Sequence, residues 1–205
     1  MSAGPEKRWT SYVRRVLESL EPGARVSKGG VEALTTFTNV LAMDIAELAP
    51  AAVKVAGMKT AMVAHVKTAF DVHLIDNELL SGVHAAAEAA VERYATGEGS
   101  ASERAGTIFP SGRLQTVLRD GMRRGLDPTR PSVAYAAAVY MAGAMDQILT
   151  ELLGATVRVT HAQRKKTLTA EHMGVAIAEN PPIRALFEGV MKARIARRAA
   201  TTDAA

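Results

Sequence analysis

One helical pattern occurs twice in this chain of 205 residues. Residues 12–72 hold a short apolar stretch, a basic loop, a long amphipathic stretch, a second basic loop and another short apolar stretch, and residues 109–178 repeat that order. A long helix of this kind has a wide apolar face that its own unit leaves uncovered. The two units are therefore expected to clasp each other, since each is near the lower size limit for an independent core.

The composition favours helices over sheets. Apolar residues make up 48% of the chain, but aromatic residues make up only 4%. Aliphatic residues and alanine suit packed helices, whereas sheets are enriched in aromatic and β-branched residues. The prediction is an all-α fold. Because the sequence has no cysteine, it can form neither a disulfide nor a thiolate metal site.

In the first half, the apolar spacing predicts a helix over residues 12–20. Ser27 is expected to cap a second, long helix that ends at Gly57. Pro50 lies inside this helix, and because proline removes a backbone hydrogen bond, we expect a kink or a broken end near residues 46–49.

A third helix is expected over residues 63–70, and a fourth with Asp76 as its N-cap. Residues 96–104 are rich in Gly and Ser and have the chemistry of a linker. Beyond them, Gly121 is expected to end a short helix, and residues 122–131 are expected to form a loop.

The second long helix is expected to begin with Ser132 as its cap and to end before the basic loop at residues 164–167. Thr169 is expected to cap the next helix. Asn180, followed by proline, is expected to cap the last helix, which carries basic residues and frays from Thr201.

Charge is distributed unevenly between the halves. Residues 1–100 hold 10 Lys and Arg against 12 Asp and Glu, whereas residues 101–205 hold 15 against 9. The N-terminal residues lack the apolar core of a signal peptide, and the longest uncharged apolar run, from Val133 to Met145, is too short to span a bilayer. The protein is expected to be soluble and intracellular.

Two clasped antiparallel units set the first loop of one beside the second loop of the other. Each end of the pair then presents two adjacent loops together with helix N-termini. Helix N-termini and basic side chains bind phosphate groups. The pattern therefore predicts phosphate-binding ends.

Particular segments carry a resemblance to the core histones. Three segments resemble the start of the first helix, the start of the long helix and the second loop of histone 2A: residues 105–113 (AGTIFPSGR), 137–142 (AAVYMA) and 164–167 (RKKT). Three others resemble the first helix, first loop and terminal helix of histone 2B: residues 12–17 (YVRRVL), 26–28 (VSK) and 90–94 (AVERY). A fused pair in this order resembles the histone doublets of large DNA viruses such as the marseilleviruses.

The resemblance implies two histone folds in one chain that form an intramolecular handshake pseudo-heterodimer. The implied domains are a short N-terminal tail at residues 1–11, a histone 2B-like fold with a C-terminal helix at 12–95, a linker at 96–104, a histone 2A-like fold at 105–192 and a basic C-terminal tail at 193–205.

The implied function is the compaction and wrapping of double-stranded DNA in nucleosome-like particles, by phosphate contacts and by arginines in the minor groove. One end is expected to carry Arg25, Ser27 and Lys28 beside Arg164, Lys165, Lys166 and Thr167, the other end Lys59 and Thr60 beside Arg130, and the middle Arg14, Arg15, Arg113 and Arg119.

The implied partners are DNA, a protein or doublet resembling histones 3 and 4, and a second copy of this chain. No cofactor, metal, membrane contact or enzymatic activity is expected. The expected location is chromatin, in a host nucleus or in a viral factory and virion.

The sequence also departs from the histones. Long Lys-rich tails are not found, and a basic helix from Lys192 to Arg198 replaces the docking tail of histone 2A. The acidic surface that recruits partners keeps four members, whereas prolines occupy other positions: the four are Glu78, Asp146, Glu151 and Glu179. Met58 stands where a loop arginine is expected. These departures predict looser and more salt-sensitive wrapping.

Two alternatives stay open. The chain could be a histone-fold interaction module in a transcription or packaging complex with little DNA contact. It could also be a helical enzyme or ligand-binding protein, although no site for one is visible. A metal site could be drawn among several acidic and histidine residues that helix caps and surface charges explain equally well: Asp71, His73, Asp76, Glu78 and His84. His161 and His172 lack a nucleophile or an orienting partner at a recognisable spacing.

Overall fold

The computed structural model describes residues 9–126 and 132–202, which are mostly helical, as predicted. In chain order the helices are α1 (Thr10–Leu20), α2 (Lys28–Val55), α3 (Val63–His73), α4 (Leu80–Thr96), α5 (Ala101–Ala105), α6 (Ser111–Gly125), α7 (Tyr135–Ala162), α8 (Ala170–Glu179) and α9 (Pro181–Thr202). Four short strands are β1 (Arg25–Val26), β2 (Thr60–Ala61), β3 (Ser132–Val133) and β4 (Thr167–Leu168). None of these helices combines the length and the hydropathy that a membrane span requires.

The predicted duplication is confirmed in the order of the elements. In both halves a helix, a strand, a long helix, a second strand and another helix follow one another. The two long helices, α2 and α7, each contain 28 residues. The additional helices are α4 and α5 between the repeats and α9 after them.

The strands pair in parallel between the two halves. β1 pairs with β4, with Arg25 opposite Thr167 and Val26 opposite Leu168. β2 pairs with β3, with Thr60 opposite Ser132. The first loop of each half therefore lies beside the second loop of the other half, as the clasped arrangement predicts.

The chain divides into two compact units, and each contains segments of both halves. Unit 1 consists of Met1–Asp44 and Glu151–Ala205, and unit 2 consists of Ile45–Thr150. The boundaries fall inside α2 and α7, so each long helix contributes to both units. The β1–β4 pair belongs to unit 1 and the β2–β3 pair to unit 2.

Unit 1 has an apolar core drawn from both ends of the chain. Phe37 of α2 stacks on Phe187 of α9, with ring centroids 5.9 Å apart and planes 6° from parallel. Trp9 is 1% exposed, and its indole N–H donates to the side-chain oxygen of Asn39 at 3.3 Å. The core also contains buried side chains of α1, α8 and α9 and of those parts of α2 and α7 that belong to unit 1.

Three predicted helix caps are confirmed in unit 1. The hydroxyl of Ser27 accepts the N–H of Gly30 at 3.1 Å at the start of α2. Thr169 accepts the N–H of His172 at 3.2 Å at the start of α8. The side-chain oxygen of Asn180 accepts the N–H of Ile183 at 3.2 Å at the start of α9. Each cap satisfies a backbone N–H that has no partner within its helix.

In unit 2, the predicted helix end at Gly121 is wrong, because α6 continues to Gly125. Pro50 has no N–H for the carbonyl of Ala46, yet α2 continues past Pro50 to Val55. Gly121 packs against that carbonyl so closely that a Cβ would overlap its oxygen, and a Cβ on Gly125 would overlap the ring of Pro50. The two glycines are therefore packing residues within α6.

Two predicted caps in unit 2 are also wrong. Asp76 has a φ of +57° in the turn before α4, and that helix begins at Leu80 after Asn77 accepts the N–H of Leu79 at 2.9 Å. Ser132 lies in β3 because it pairs with Thr60, and α7 begins at Tyr135. Pairing with a distant strand overrides the local cap signal.

The connection between the halves is structured, and part of it is helical. Ser100 and Glu103 cap α5 reciprocally, since the N–H of Ser100 donates to the Glu103 carboxylate at 2.9 Å and the N–H of Glu103 to the Ser100 hydroxyl at 3.5 Å. The guanidinium of Arg104 lies 4.4 Å from the ring centroid of Tyr94. Ala105 is buried in a cluster with Ala90 and Val139. These contacts fix the connection against α4.

Candidate functional site

The pairing of β1 with β4 assembles a basic surface in unit 1, which we name the first loop pair (residues 21–28 and 161–168). The N–H of Ser27 donates to the carbonyl of Leu168 at 2.8 Å, and that of Arg25 to the carbonyl of Lys166 at 3.4 Å. This backbone ladder sets the predicted residues Arg25, Ser27 and Lys28 beside Arg164, Lys165, Lys166 and Thr167.

The cationic side chains of the first loop pair face solvent. They are Arg25, Lys28, Arg164, Lys165 and Lys166, whereas Ser27 and Thr167 are half-buried. Lys28 lies 4.0 Å from Glu32, but both side chains are so exposed that this ion pair contributes little stability. The cations are therefore accessible to an anionic ligand.

A cleft of about 440 Å³ lies within the first loop pair. Its walls are the turn after α1 and the end of α7, including Gly23, Arg164 and Lys165. Glu21 and His161 also line it, with a carboxylate oxygen of Glu21 3.6 Å from Nε2 of His161. Several cations around a concave surface concentrate positive potential there.

Two helices begin at the first loop pair. α2 begins at Lys28, directly after β1, and α8 begins at Ala170, shortly after β4. The N-terminal end of a helix carries partial positive charge and presents unpaired N–H groups. The loop pair therefore combines side-chain cations with the kind of backbone geometry that binds phosphate.

The second loop pair (residues 56–62 and 132–134), in unit 2, has similar backbone but fewer cations among its described residues. The N–H of Ala134 donates to the carbonyl of Ala61 at 2.9 Å beside the β2–β3 pair. Lys59 is exposed and Thr60 is half-buried. Met58 is 45% exposed. Arg130, which was expected beside Lys59, lies outside the described residues.

The remaining predicted arginines lie on helices. Arg14 and Arg15 are exposed on α1 in unit 1, and the guanidinium of Arg15 is 5.8 Å from the ring centroid of Tyr12. Arg113 is exposed and Arg119 half-buried on α6 in unit 2. Each pair therefore belongs to a different unit.

The predicted acidic residues occupy different environments. Glu78 and Glu179 are exposed, whereas Glu151 is half-buried. Both carboxylate oxygens of Asp146 accept backbone N–H groups, from Ile108 at 2.7 Å and Phe109 at 3.1 Å. Burial raises the pKa of Asp146 to about 6. Asp146 therefore anchors the segment that leads into α6, a role that its sequence context does not reveal.

A hydrogen-bond chain in unit 2 that begins at a buried tyrosine was not anticipated from the sequence. The hydroxyl of Tyr140, on a side chain that is 0% exposed, lies 2.5 Å from Nδ1 of His84. Nε2 of His84 lies 2.7 Å from a carboxylate oxygen of Asp71. Burial raises the pKa of Tyr140, so the phenol keeps its proton. These hydrogen bonds link α7, which carries Tyr140, to α4, which carries His84, and α4 to α3, which carries Asp71.

Residues 9–126 and 132–202 contain no group of three or more His, Asp or Glu side chains arranged to hold a metal ion. Asp71 and His84 take part in the hydrogen-bond chain instead. His73 is half-buried, and desolvation lowers its pKa to about 4. The candidate site is formed by the exposed cations of the first loop pair.

Sequence comparison finds similarity to histones. The profile of a family described as histone-like transcription factor (CBF/NF-Y) and archaeal histone matches residues 108–177. A histone 2A of Trypanosoma cruzi is 32% identical over 100 residues, which cover 47% of this chain and 68% of that protein. A histone 2A variant, type X, of Dictyostelium discoideum is 29% identical over 91 residues, 44% of this chain.

The match to other relatives is partial. A macro-type histone 2A of Capsaspora owczarzaki is 28% identical over 96 residues, 47% of this chain. The chain spans 24% of the length of that relative and 55% of the length of the Dictyostelium discoideum relative.

Structural comparison extends the similarity beyond one half of the chain. A crystal structure of the histone from Methanopyrus kandleri aligns with a TM-score of 0.54 and 18% sequence identity. The alignment covers 82% of this chain and 91% of that one, so both repeats take part. With the paired loops, this likeness identifies the fold as two histone folds in one chain, joined by a handshake pairing.

Proposed function

Because this chain belongs to the histone family, we propose that it packages double-stranded DNA without sequence specificity, as a structural component of chromatin. The observation that carries the proposal is the first loop pair, which has five exposed cations, three of them lining a cleft. Phosphate contacts of this kind supply affinity for any duplex, because the charge of the backbone does not depend on sequence.

We further propose that residues 12–95 and 105–192 are a histone 2B-like and a histone 2A-like module fused as a doublet, joined by the connection at 96–104. Support comes from the repeated order of elements and from strand pairs that each join one half to the other. Residues 1–11 and 193–205 would flank the two modules.

In the proposed mechanism, both loop pairs bind phosphates where the duplex backbone passes each end. Lys59, Thr60 and Arg130 would act at the second loop pair. Arg14 and Arg15 on α1 of unit 1, and Arg113 and Arg119 on α6 of unit 2, would bind further backbone phosphates or enter the minor groove. Contacts to base edges play no part, so particles would form on many sequences.

The proposed partners follow from the histone relationship. In a nucleosome-like particle, a partner resembling histones 3 and 4 and a second copy of this chain would accompany it. The proposed location is chromatin, in a nucleus or, if the gene is viral, in a viral factory and virion. Glu78, Glu151 and Glu179 would form the remaining acidic surface for other proteins, with Asp146 held by backbone N–H groups.

A second function is favoured by a specific observation. The family profile that matches residues 108–177 includes histone-like transcription factors as well as archaeal histones. The first half also carries slightly more acidic than basic residues. A histone-fold interaction module in a transcription or packaging complex, with little DNA contact, would have these features.

Titration of the purified chain with duplex DNA at two salt concentrations separates the two functions. DNA packaging predicts binding that weakens steeply between about 50 and 200 mM salt. It also predicts that nuclease leaves protected fragments of a defined length when a partner resembling histones 3 and 4 is present. Weak binding whose affinity does not change with salt concentration, together with no protected fragments, would favour the interaction module.

A further inference from the structure

The ends of the two long helices share one backbone conformation. At the end of α2, Gly57 has a φ of +65°, and the N–H of Met58 donates to the carbonyl of Val53 at 3.1 Å. At the end of α7, Arg164 has a φ of +55°, and the N–H of Lys165 donates to the carbonyl of Thr160 at 3.0 Å. Both ends form the left-handed cap that usually contains glycine.

The side chains on this shared backbone differ in chemistry. After α7 the chain presents Arg164, Lys165 and Lys166, all exposed. The equivalent positions after α2 hold Gly57, Met58 and Lys59, of which only the last is cationic. The first loop pair therefore has the greater positive charge at matched backbone positions.

Arg164 occupies a conformation that glycine adopts without strain and that other L residues adopt at a cost in free energy. Gly57 demonstrates that glycine supports the same cap. Among the described residues, the Arg164 side chain makes no hydrogen bond or ion pair that would offset this strain. A strained residue that folding does not require points to a role for its side chain.

The surroundings of Arg164 indicate the ligand. Its side chain lines the cleft of the first loop pair together with Lys165, Lys166 and His161. Glu21 also lines the cleft, next to His161. The excess of cations over carboxylates fits an anion with several negative charges, and a run of backbone phosphates has that chemistry.

We propose that the turn after α7 is the stronger of the two equivalent phosphate-binding turns and that Arg164 is a specialised phosphate contact, kept although it lowers folding stability. This inference rests on the proposed function, because its ligand is the backbone of duplex DNA. The equivalent turn after α2 then contributes less to affinity, since Gly57, Met58 and Lys59 include one cation where the turn after α7 has three.

The first test is Arg164→Gly, with Gly57→Arg as its mirror and Arg184→Gln, an exposed residue of α9, as the control for charge. Arg164→Gly is expected to raise Tm by about 2–4 °C while it weakens DNA binding several-fold. The slope of log K against log salt should become less negative by about 1. Gly57→Arg should lower Tm, and Arg184→Gln should change neither DNA affinity nor slope.

The second test compares Lys166→Gln with Lys59→Gln, which occupy equivalent positions in the two loop pairs. Lys166→Gln is expected to weaken DNA binding by the larger factor. Equal losses would overturn the claim that the ends differ, and unchanged affinity and slope in Arg164→Gly would overturn the role of Arg164. A lower Tm in Arg164→Gly would overturn the strain argument. Failure of the unaltered chain to bind DNA would instead overturn the proposed function.

Discussion

The α-carbon of Gly121 packs directly on the backbone carbonyl of Ala46, in a place where a Cβ would overlap the oxygen. That carbonyl is the one that Pro50, lacking an N–H, leaves without its usual helical donor. The close approach of α6 thus occurs at the turn of α2 that the proline modifies. A backbone oxygen cannot move aside as the end of a flexible side chain can, so this position requires glycine.

Gly121→Ala is therefore expected to lower the free energy of unfolding by about 1–3 kcal/mol or more, because the helices must separate to admit a methyl group. Gly112→Ala is the matched control on the same helix, where a Cβ would meet nothing within 4 Å. The control should be stabilised by up to about 1 kcal/mol through helix propensity. Urea unfolding of both variants measures the difference, and equal stabilities would contradict the packing described here.

Tyr140→Phe tests the hydrogen-bond chain of Tyr140, His84 and Asp71. Loss of the hydroxyl removes the partner of His84 Nδ1 and is expected to cost about 1–2 kcal/mol of stability. Tyr94→Phe is the control, since Tyr94 contributes its ring to contacts with Tyr135 and Arg104. Thermal unfolding should show a lower Tm for Tyr140→Phe and little change for Tyr94→Phe. If both substitutions lower Tm by the same amount, the hydrogen bond between Tyr140 and His84 has no special role in stability.

The raised pKa of Asp146 predicts a contribution to the free energy of unfolding that is largest at acidic pH. Its pKa is raised from 3.8 to about 6 by burial, so the folded chain binds its proton more readily than the unfolded chain. The contribution is fully present below about pH 4 and is lost as the pH rises through about 6, with a limit of about 3 kcal/mol. Asp146→Asn should remove this pH-dependent contribution. It should also remove one of the two oxygen atoms that accept the backbone N–H groups, a loss of stability that is the same at every pH. Unfolding free energies from pH 4 to 7 provide the comparison with the unaltered chain.

The lowered pKa of His73 predicts the opposite pH dependence, a contribution to the free energy of unfolding that is lost in acid. Burial lowers its pKa from 6.5 to about 4, so the unfolded chain takes up the proton first as the pH falls. Its contribution is present above pH 6.5 and is lost as the pH falls towards 4, again up to about 3 kcal/mol. His73→Leu should reduce the loss of stability in acid. If the variant is as acid-sensitive as the unaltered chain, His73 is not the group responsible.

Local chemistry made much of the fold predictable. The caps at Ser27, Thr169 and Asn180 depend on a side-chain oxygen that reaches an N–H three residues ahead, and the sequence alone specifies that geometry. The juxtaposition of the basic loops followed from the repeat, because two clasped units bring first and second loops together.

The unpredicted features depend on contacts between residues far apart in the sequence. Gly121 has the sequence context of a helix end, and its actual role requires the carbonyl of Ala46. Ser132 has the side chain of a cap, but Thr60 pairs with it as a strand. The left-handed backbone of Arg164 was unforeseen because glycine normally marks such a position, as Gly57 does in the first half.

The short helix α5 sits in the connection that makes both strands of each loop pair part of one polypeptide. Pairing is thus a first-order process, and dilution cannot separate the halves as it separates the subunits of a dimer. Translation of one message supplies both halves in equal number. Neither half can then exchange its partner for another protein, so one gene determines both members of the pair.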